Sequence, residues 1–243
     1  MNKVILHIPH SSMVIPDYIR KNILLSDSVL KKELELLTDL YTDLIFQGKD
    51  TIKCTFSRFV CDVERFEDDA LEKMSKLGMG AVYIKTPTGK KLRNADEIQR
   101  NHIMENYYKP HHSEFETMVE EKLICYNKCF ILDCHSFNEE INYINMENAP
   151  DICIGSDSFH TPENIKNAAI NIFELDGYKV SVNTPFSGSI VPLRYYTKDK
   201  RVSSIMIEIN RKLYIKNENK INVEGMHKLI SVCNQLIDLM NNS

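Results

Sequence analysis

No stretch of the 243 residues approaches the roughly 18 to 20 uninterrupted apolar residues of a membrane span. The N-terminus also lacks the charged-then-apolar layout of a signal peptide. These absences predict a cytoplasmic protein with no membrane partner. Positive charge forms no basic stripe: 30 Lys and Arg are spread among 34 Asp and Glu, for a formal net charge of −4. Nucleic acid is therefore not an expected partner. The seven cysteines are odd in number, lie mostly inside apolar runs and contain no C-x-x-C pair. That usage argues against a disulfide framework and against a thiolate zinc site. No repeat, low-complexity tract or Gly/Ser linker interrupts the chain, so residues 1–243 are expected to form a single domain. At 43% hydrophobic composition it can bury a full core.

What is present alternates between two patterns. Short apolar runs at "VILHI", "TIKCTF", "FVCDV", "CFILDC", "DICIG" and "SSIMIEI" read as strands. Between them, Ser26 to Phe46 carries apolar residues at helical spacing, with Ser26 or Ser28 as its cap. Asn94 through Cys125 suits a long helix that Pro110 should kink or split. "PENIKNAAINIFEL" and "EGMHKLISVCNQLIDLMN" read as two more helices. Strands alternating with helices predict an α/β sandwich with a sheet that is at least partly parallel.

The polar residues at the strand ends carry the functional signal. His7 and His10 lie at or just past the end of the first strand, where Pro9 blocks its continuation. "CFILDCHSF" repeats the arrangement with Asp133 and His135, and "SSIMIEINRKLY" places Glu208 and Asn210 in or just after an apolar strand. An isolated buried glutamate costs several kcal/mol unless it is paired or bound to a metal. Neutral imidazoles and a carboxylate are what a catalytic zinc ion takes when one position must stay open. Asp39 and Asp43, a helical turn apart, are both candidates for the remaining ligand.

Seven motifs in order, "HIPHSS", "TDLYTDLIF", "SRFVCDVERF", "YYKPHHSEFE", "LDCHSF", "NTPFSGS" and "IEINRKLY", span residues 4 to 214. Together they resemble the N-formylglutamate amidohydrolase family, distant relatives of the zinc carboxypeptidases. The resemblance implies a three-layer α/β sandwich of the phosphorylase/hydrolase kind, with a mixed sheet between helices. It also implies one divalent metal, zinc, and hydrolysis of an N-acyl bond on a small-molecule amino-acid substrate. Carried over position by position, it makes His10, Asp39 and His135 the metal ligands. Glu208 becomes the general base, and His7 and Asp133 become supporting groups. Arg58 would polarise the scissile carbonyl. Arg65, with Arg211 and His112, would bind the substrate, and "TPFSGS" (184–189) would form a substrate-side loop. The chain departs from the family pattern at Glu64, where an asparagine is usual, and at His111, where a tyrosine is usual. The departure at Glu64 leaves room for an amidase or peptidase of the carboxypeptidase type on another N-acyl substrate. A metal- or ligand-binding protein without turnover is the remaining alternative.

Overall fold

Strand residues alternate between two faces, and here both faces are covered. In the computed structural model, which describes residues 2–140 and 148–243, the strands are β1 (Val4–Ile8), β2 (Thr51–Lys53), β3 (Cys129–Phe137), β4 (Ile152–Gly155), β5 (Val180–Val182) and β6 (Val202–Asn210). They form one sheet in the order β2-β1-β3-β6-β4-β5. β2, β1, β3 and β6 run parallel, while β4 pairs antiparallel with β6 and parallel with β5. β1, β3 and β6 are buried along their whole lengths, which is why they read as nearly continuous apolar runs.

The helices are α1 (Asp17–Arg20), α2 (Asp27–Leu37), α3 (Thr42–Ile45), α4 (Glu97–Ile103), α5 (Lys109–Tyr126), α6 (Glu163–Leu175) and α7 (Val223–Asn242). On one face of the sheet Leu6, Leu132 and Ile207 pack with Phe173 of α6 and with Leu229 and Leu236 of α7. On the other, Ile5, Ile131 and Val202 pack with Phe115 and Val119 of α5. The result is the mixed, mostly parallel α/β sandwich that the sequence predicts.

Three local expectations change, and one short strand is added. The helix predicted over Ser26 to Phe46 ends at Leu37. Thr38 is extended and Tyr41 takes a left-handed φ of 65° before α3 begins. A tertiary bond outcompetes the helix here, because the Asp39 amide donates to the His10 carbonyl at 2.9 Å. Pro110 does not break the second long helix. It falls in the first turn of α5, where no amide hydrogen is needed, and a π-helical stretch, Met104–Tyr108, joins α4 to α5. "FVCDV" is not a strand but a buried turn whose Val60, Cys61 and Val63 pack with Met104 and Tyr108. β5, three half-buried residues, is too short to show a periodic signal.

Register positions the chemistry. His7 pairs with Asp133 across β1 and β3, and His135 pairs with Glu208 across β3 and β6. Because side chains alternate along each strand, all four project from the α5 face, near the carboxyl ends of parallel strands. Crevices there are where open α/β sheets build ligand sites.

Candidate active site

Asp39, placed by the break between α2 and α3, meets the strand-end histidines. Its Oδ2 lies 3.0 Å from His135 Nδ1 and 3.8 Å from His10 Nδ1. One donor atom from each of His10, Asp39 and His135 falls within 4.8 Å of the other two, and all three residues are buried. Asp43 takes no part. It sits on α3 and pairs with Lys53 at 2.9 Å, because the helix break turns it away from Asp39.

Asp62 organises the neighbouring groups. Its Oδ1 accepts from His10 Nε2 at 2.9 Å, and its Oδ2 accepts from Arg58 Nη2 at 2.6 Å and Tyr83 Oη at 2.7 Å. Arg65 Nε lies 3.4 Å from the same Oδ2. With its Nε2 proton given to Asp62, His10 presents a bare Nδ1 toward Asp39. That buried nitrogen has no hydrogen-bond partner among the described residues. Orientation of a ligating imidazole through its other nitrogen is how proteins fix the tautomer at a metal. An orphaned imidazole nitrogen, a carboxylate and a second imidazole therefore suit a divalent cation.

Glu64 reaches the same cluster, which the sequence did not signal beyond its departure from the family pattern. Its Oε1 lies 3.1 Å from His135 Nε2, and its Oε2 lies 3.8 Å from His10 Nδ1. Asp133 Oδ1 also contacts His135 Nε2 at 3.1 Å and accepts from His7 Nδ1 at 2.9 Å. His7 Nε2 then accepts from His111 Nε2 at 3.0 Å, and Cys54 Sγ lies 3.5 Å from His111 Nδ1. This chain of buried groups locks Asp133. Only a histidine at 111, rather than the apolar residue its burial on α5 suggests, could have hinted at it.

Charge follows geometry. Burial works against a charged His135, but Glu64, Asp133 and Asp39 outweigh it and hold the imidazole well above its ordinary pKa. Burial and then Arg58 push His10 down, which keeps it neutral. Glu208, chiefly through burial, is pushed up to about 8. Its Oε2 is buried and has no hydrogen-bond partner among the described residues. Burial lowers His111 to about 2 and His112 to about 4.

These groups floor a cavity of about 690 Å³. Its walls include Arg58, Arg65 and His112, with Phe66, Met74 and Phe137 beside them. His112 Nε2 donates to the Val63 carbonyl at 2.9 Å. The loop at 185–190 closes one side, where Gly188 has φ 87° and the close approach falls instead on Gly155: a Cβ there would meet the Gly188 carbonyl at 2.2 Å. Arg211 does not line the cavity. The turn after β6 carries it behind the wall, where Nη1 donates to the Glu35 carbonyl at 2.8 Å in the last turn of α2. There it serves as the cation at a helix C-terminus that has no basic residue of its own.

Residues 2–215 match the model of the N-formylglutamate amidohydrolase family. An N-formylglutamate deformylase of Pseudomonas putida is 19% identical over 217 residues, covering 87% of this chain and 81% of that protein. The crystal structure of an N-formylglutamate amidohydrolase from Ralstonia eutropha JMP134 superposes with a TM-score of 0.82 at 20% identity, covering 99% of this chain and 93% of that one. A gene product of Agrobacterium tumefaciens superposes at 0.66 with 19% identity, covering 99% and 88%. At these identities the two structures establish a shared fold. The family match extends over nearly the whole chain, from β1 through the turn after β6 that follows Glu208, and on that ground the chain belongs to the N-formylglutamate amidohydrolase family.

Proposed function

We propose that the chain hydrolyses the amide bond of an N-acyl amino acid, with N-formylglutamate as the first candidate and a divalent metal, zinc, as cofactor. The observation that carries this reading is the convergence of His10, Asp39 and His135 beside an unpartnered Glu208 carboxylate in the floor of one cavity. A divalent ion held by those three residues would supply Lewis-acid polarisation of the acyl carbonyl and a water of lowered pKa. Glu208 takes the proton of the attacking water and returns it to the leaving amine. Burial pushes the carboxyl upward in the metal-free protein, and a cation beside it would draw it back toward the ionised form that accepts the proton. Arg58, fixed by its bonds to Asp62, faces the developing oxyanion. Arg65 lines the cavity beside it and clamps the substrate carboxylate.

A second reading keeps the chemistry and changes the substrate. Phe66, Phe137, Phe186 and Leu193 give the cavity an apolar wall that a formyl group alone does not require. A panel of N-formyl and longer N-acyl amino acids, acidic and apolar, separates the two. N-formylglutamate should be turned over with the highest kcat/KM, and Arg65→Ala should raise KM for acidic substrates selectively. Preference for apolar substrates, unchanged in Arg65→Ala, would favour the second reading.

A further inference from the structure

We propose that His111 is a positioning residue for the metal centre, acting through His7 and Asp133 on the His135 imidazole. The inference rests on the metal reading above and concerns what keeps that ligand in the right tautomer. His111 and His7 do not line the cavity, so neither touches substrate. His111 stands on α5 one turn before Phe115, whose ring stacks on His7 with centroids 4.9 Å apart. Both α5 residues thus bear on His7, Phe115 through its face and His111 through a ring nitrogen.

The contacts fix where the protons lie. Burial holds the Cys54 thiol well above its ordinary range and drops His111 to about 2. The thiol therefore keeps its proton, and the imidazole is neutral, with one N–H and one bare nitrogen. Cys54 Sγ donates to His111 Nδ1 at 3.5 Å, which leaves the ring proton on Nε2, donated to His7 Nε2 at 3.0 Å. His7 must then carry its own proton on Nδ1, where Asp133 Oδ1 accepts it at 2.9 Å. The opposite order on two neutral rings would set a bare His7 Nδ1 lone pair against that carboxylate.

Asp133 hands the order on. Its Oδ2 accepts from the Ile190 amide at 3.2 Å, and its Oδ1, fixed by His7, takes the Nε2 proton of His135 at 3.1 Å. Glu64 Oε1 shares that proton at the same distance. With Nε2 protonated, Nδ1 is the bare nitrogen that His135 turns toward Asp39 Oδ2, 3.0 Å away. The hydrogen bond at one ring nitrogen sets which nitrogen is free for a metal. Without the His111 donor, His7 Nε2 is a buried acceptor left unpaired, and the proton that holds Asp133 is drawn toward it.

The test compares the full-length chain with His111→Gln, which keeps a donor toward His7, and with His111→Phe, which keeps the ring's bulk and removes the donor. Long-range proton–nitrogen correlation spectra of the metal-free proteins read the tautomer of each histidine, and chelator competition reads Co²⁺ affinity. In the parent, His7 should carry its proton on Nδ1 and His111 on Nε2, with one Co²⁺ bound per chain. His111→Gln should bind Co²⁺ within about 3-fold of the parent and His111→Phe about 10-fold more weakly, the lower end of the scale for groups that support a metal ligand. A packing role predicts the reverse order, because phenylalanine fills the imidazole's space better than glutamine does. That order, equal loss in both variants, or parental affinity in His111→Phe would overturn the proposal. So would a parent His7 protonated on Nε2, and with Co²⁺ still bound that result leaves the metal reading standing. A second Co²⁺ on His7, Glu64 and Asp133, whose donor atoms lie within 4.8 Å of one another, would overturn it as well, since a ligating Nδ1 has no proton to give. No Co²⁺ on the parent would refute the metal reading and the positioning role with it.

Discussion

At the scale of single residues, the general-base role proposed for Glu208 gives the sharpest test. Glu208→Gln keeps shape and hydrogen bonding but removes the proton acceptor, so metal should stay bound while hydrolysis falls by roughly 10² to 10⁴-fold, the usual scale of general acid/base catalysis. The same variant reports on stability. In the metal-free protein burial pushes the carboxyl up to about 8, against 4.5 for an unburied glutamate. Between those values the native state holds a proton that the unfolded chain has released, so this group's contribution to stability falls as pH rises through the window. At about 1.4 kcal/mol per pKa unit, chelated parent protein should lose on the order of a few kcal/mol relative to Glu208→Gln between pH 5 and pH 8, read from urea unfolding. A constant gap would mean that Glu208 is not strained in the native state. Sequence exposed much of this residue-level picture, because His7, Asp133, His135 and Glu208 interrupt apolar strands. The contacts of Asp62 with His10 and of Glu64 with His135 escaped because "FVCDVER" looks like a strand running into charge, whereas it is a turn whose carboxylates point inward.

At the scale of elements, the strand pattern was legible because burial on both faces leaves long apolar runs. The breaks were not, because partners distant in sequence create them. Asp39 leaves the helix to meet the His10 carbonyl, and Tyr214 donates to the Leu40 carbonyl at 2.8 Å from 174 residues away. β4 illustrates the same dependence on distant contacts. Its last residue, Gly155, lies against the cavity loop, where an added Cβ would sit 2.2 Å from the Gly188 carbonyl and 2.4 Å from Met206 Cε. Gly155→Ala should therefore cost about 1–3 kcal/mol, the usual range for overpacking, and raise KM as the loop shifts. An unchanged thermal midpoint would show that the loop yields freely and does not shape the cavity.

For the molecule as a whole, the fold brings together groups from widely separated stretches of chain around one cavity. The thiols stand apart from that chemistry. Cys54, Cys61, Cys129, Cys134, Cys153 and Cys233 are buried and Cys125 is exposed. Burial pushes all six buried thiols upward, Cys129 to about 12, where the nucleophilic thiolate is scarce. Alkylation of the native protein should modify Cys125 alone and leave activity nearly intact. Rapid inactivation that substrate prevents would assign a thiol to the site. No described helix is long and apolar enough to cross a membrane. The central claim is that His10, Asp39 and His135 hold the ion on which hydrolysis depends, and metal content measured on purified parent and His135→Ala tests it most directly. The account predicts one divalent ion per parent chain and none in His135→Ala; full stoichiometry in the variant would contradict it.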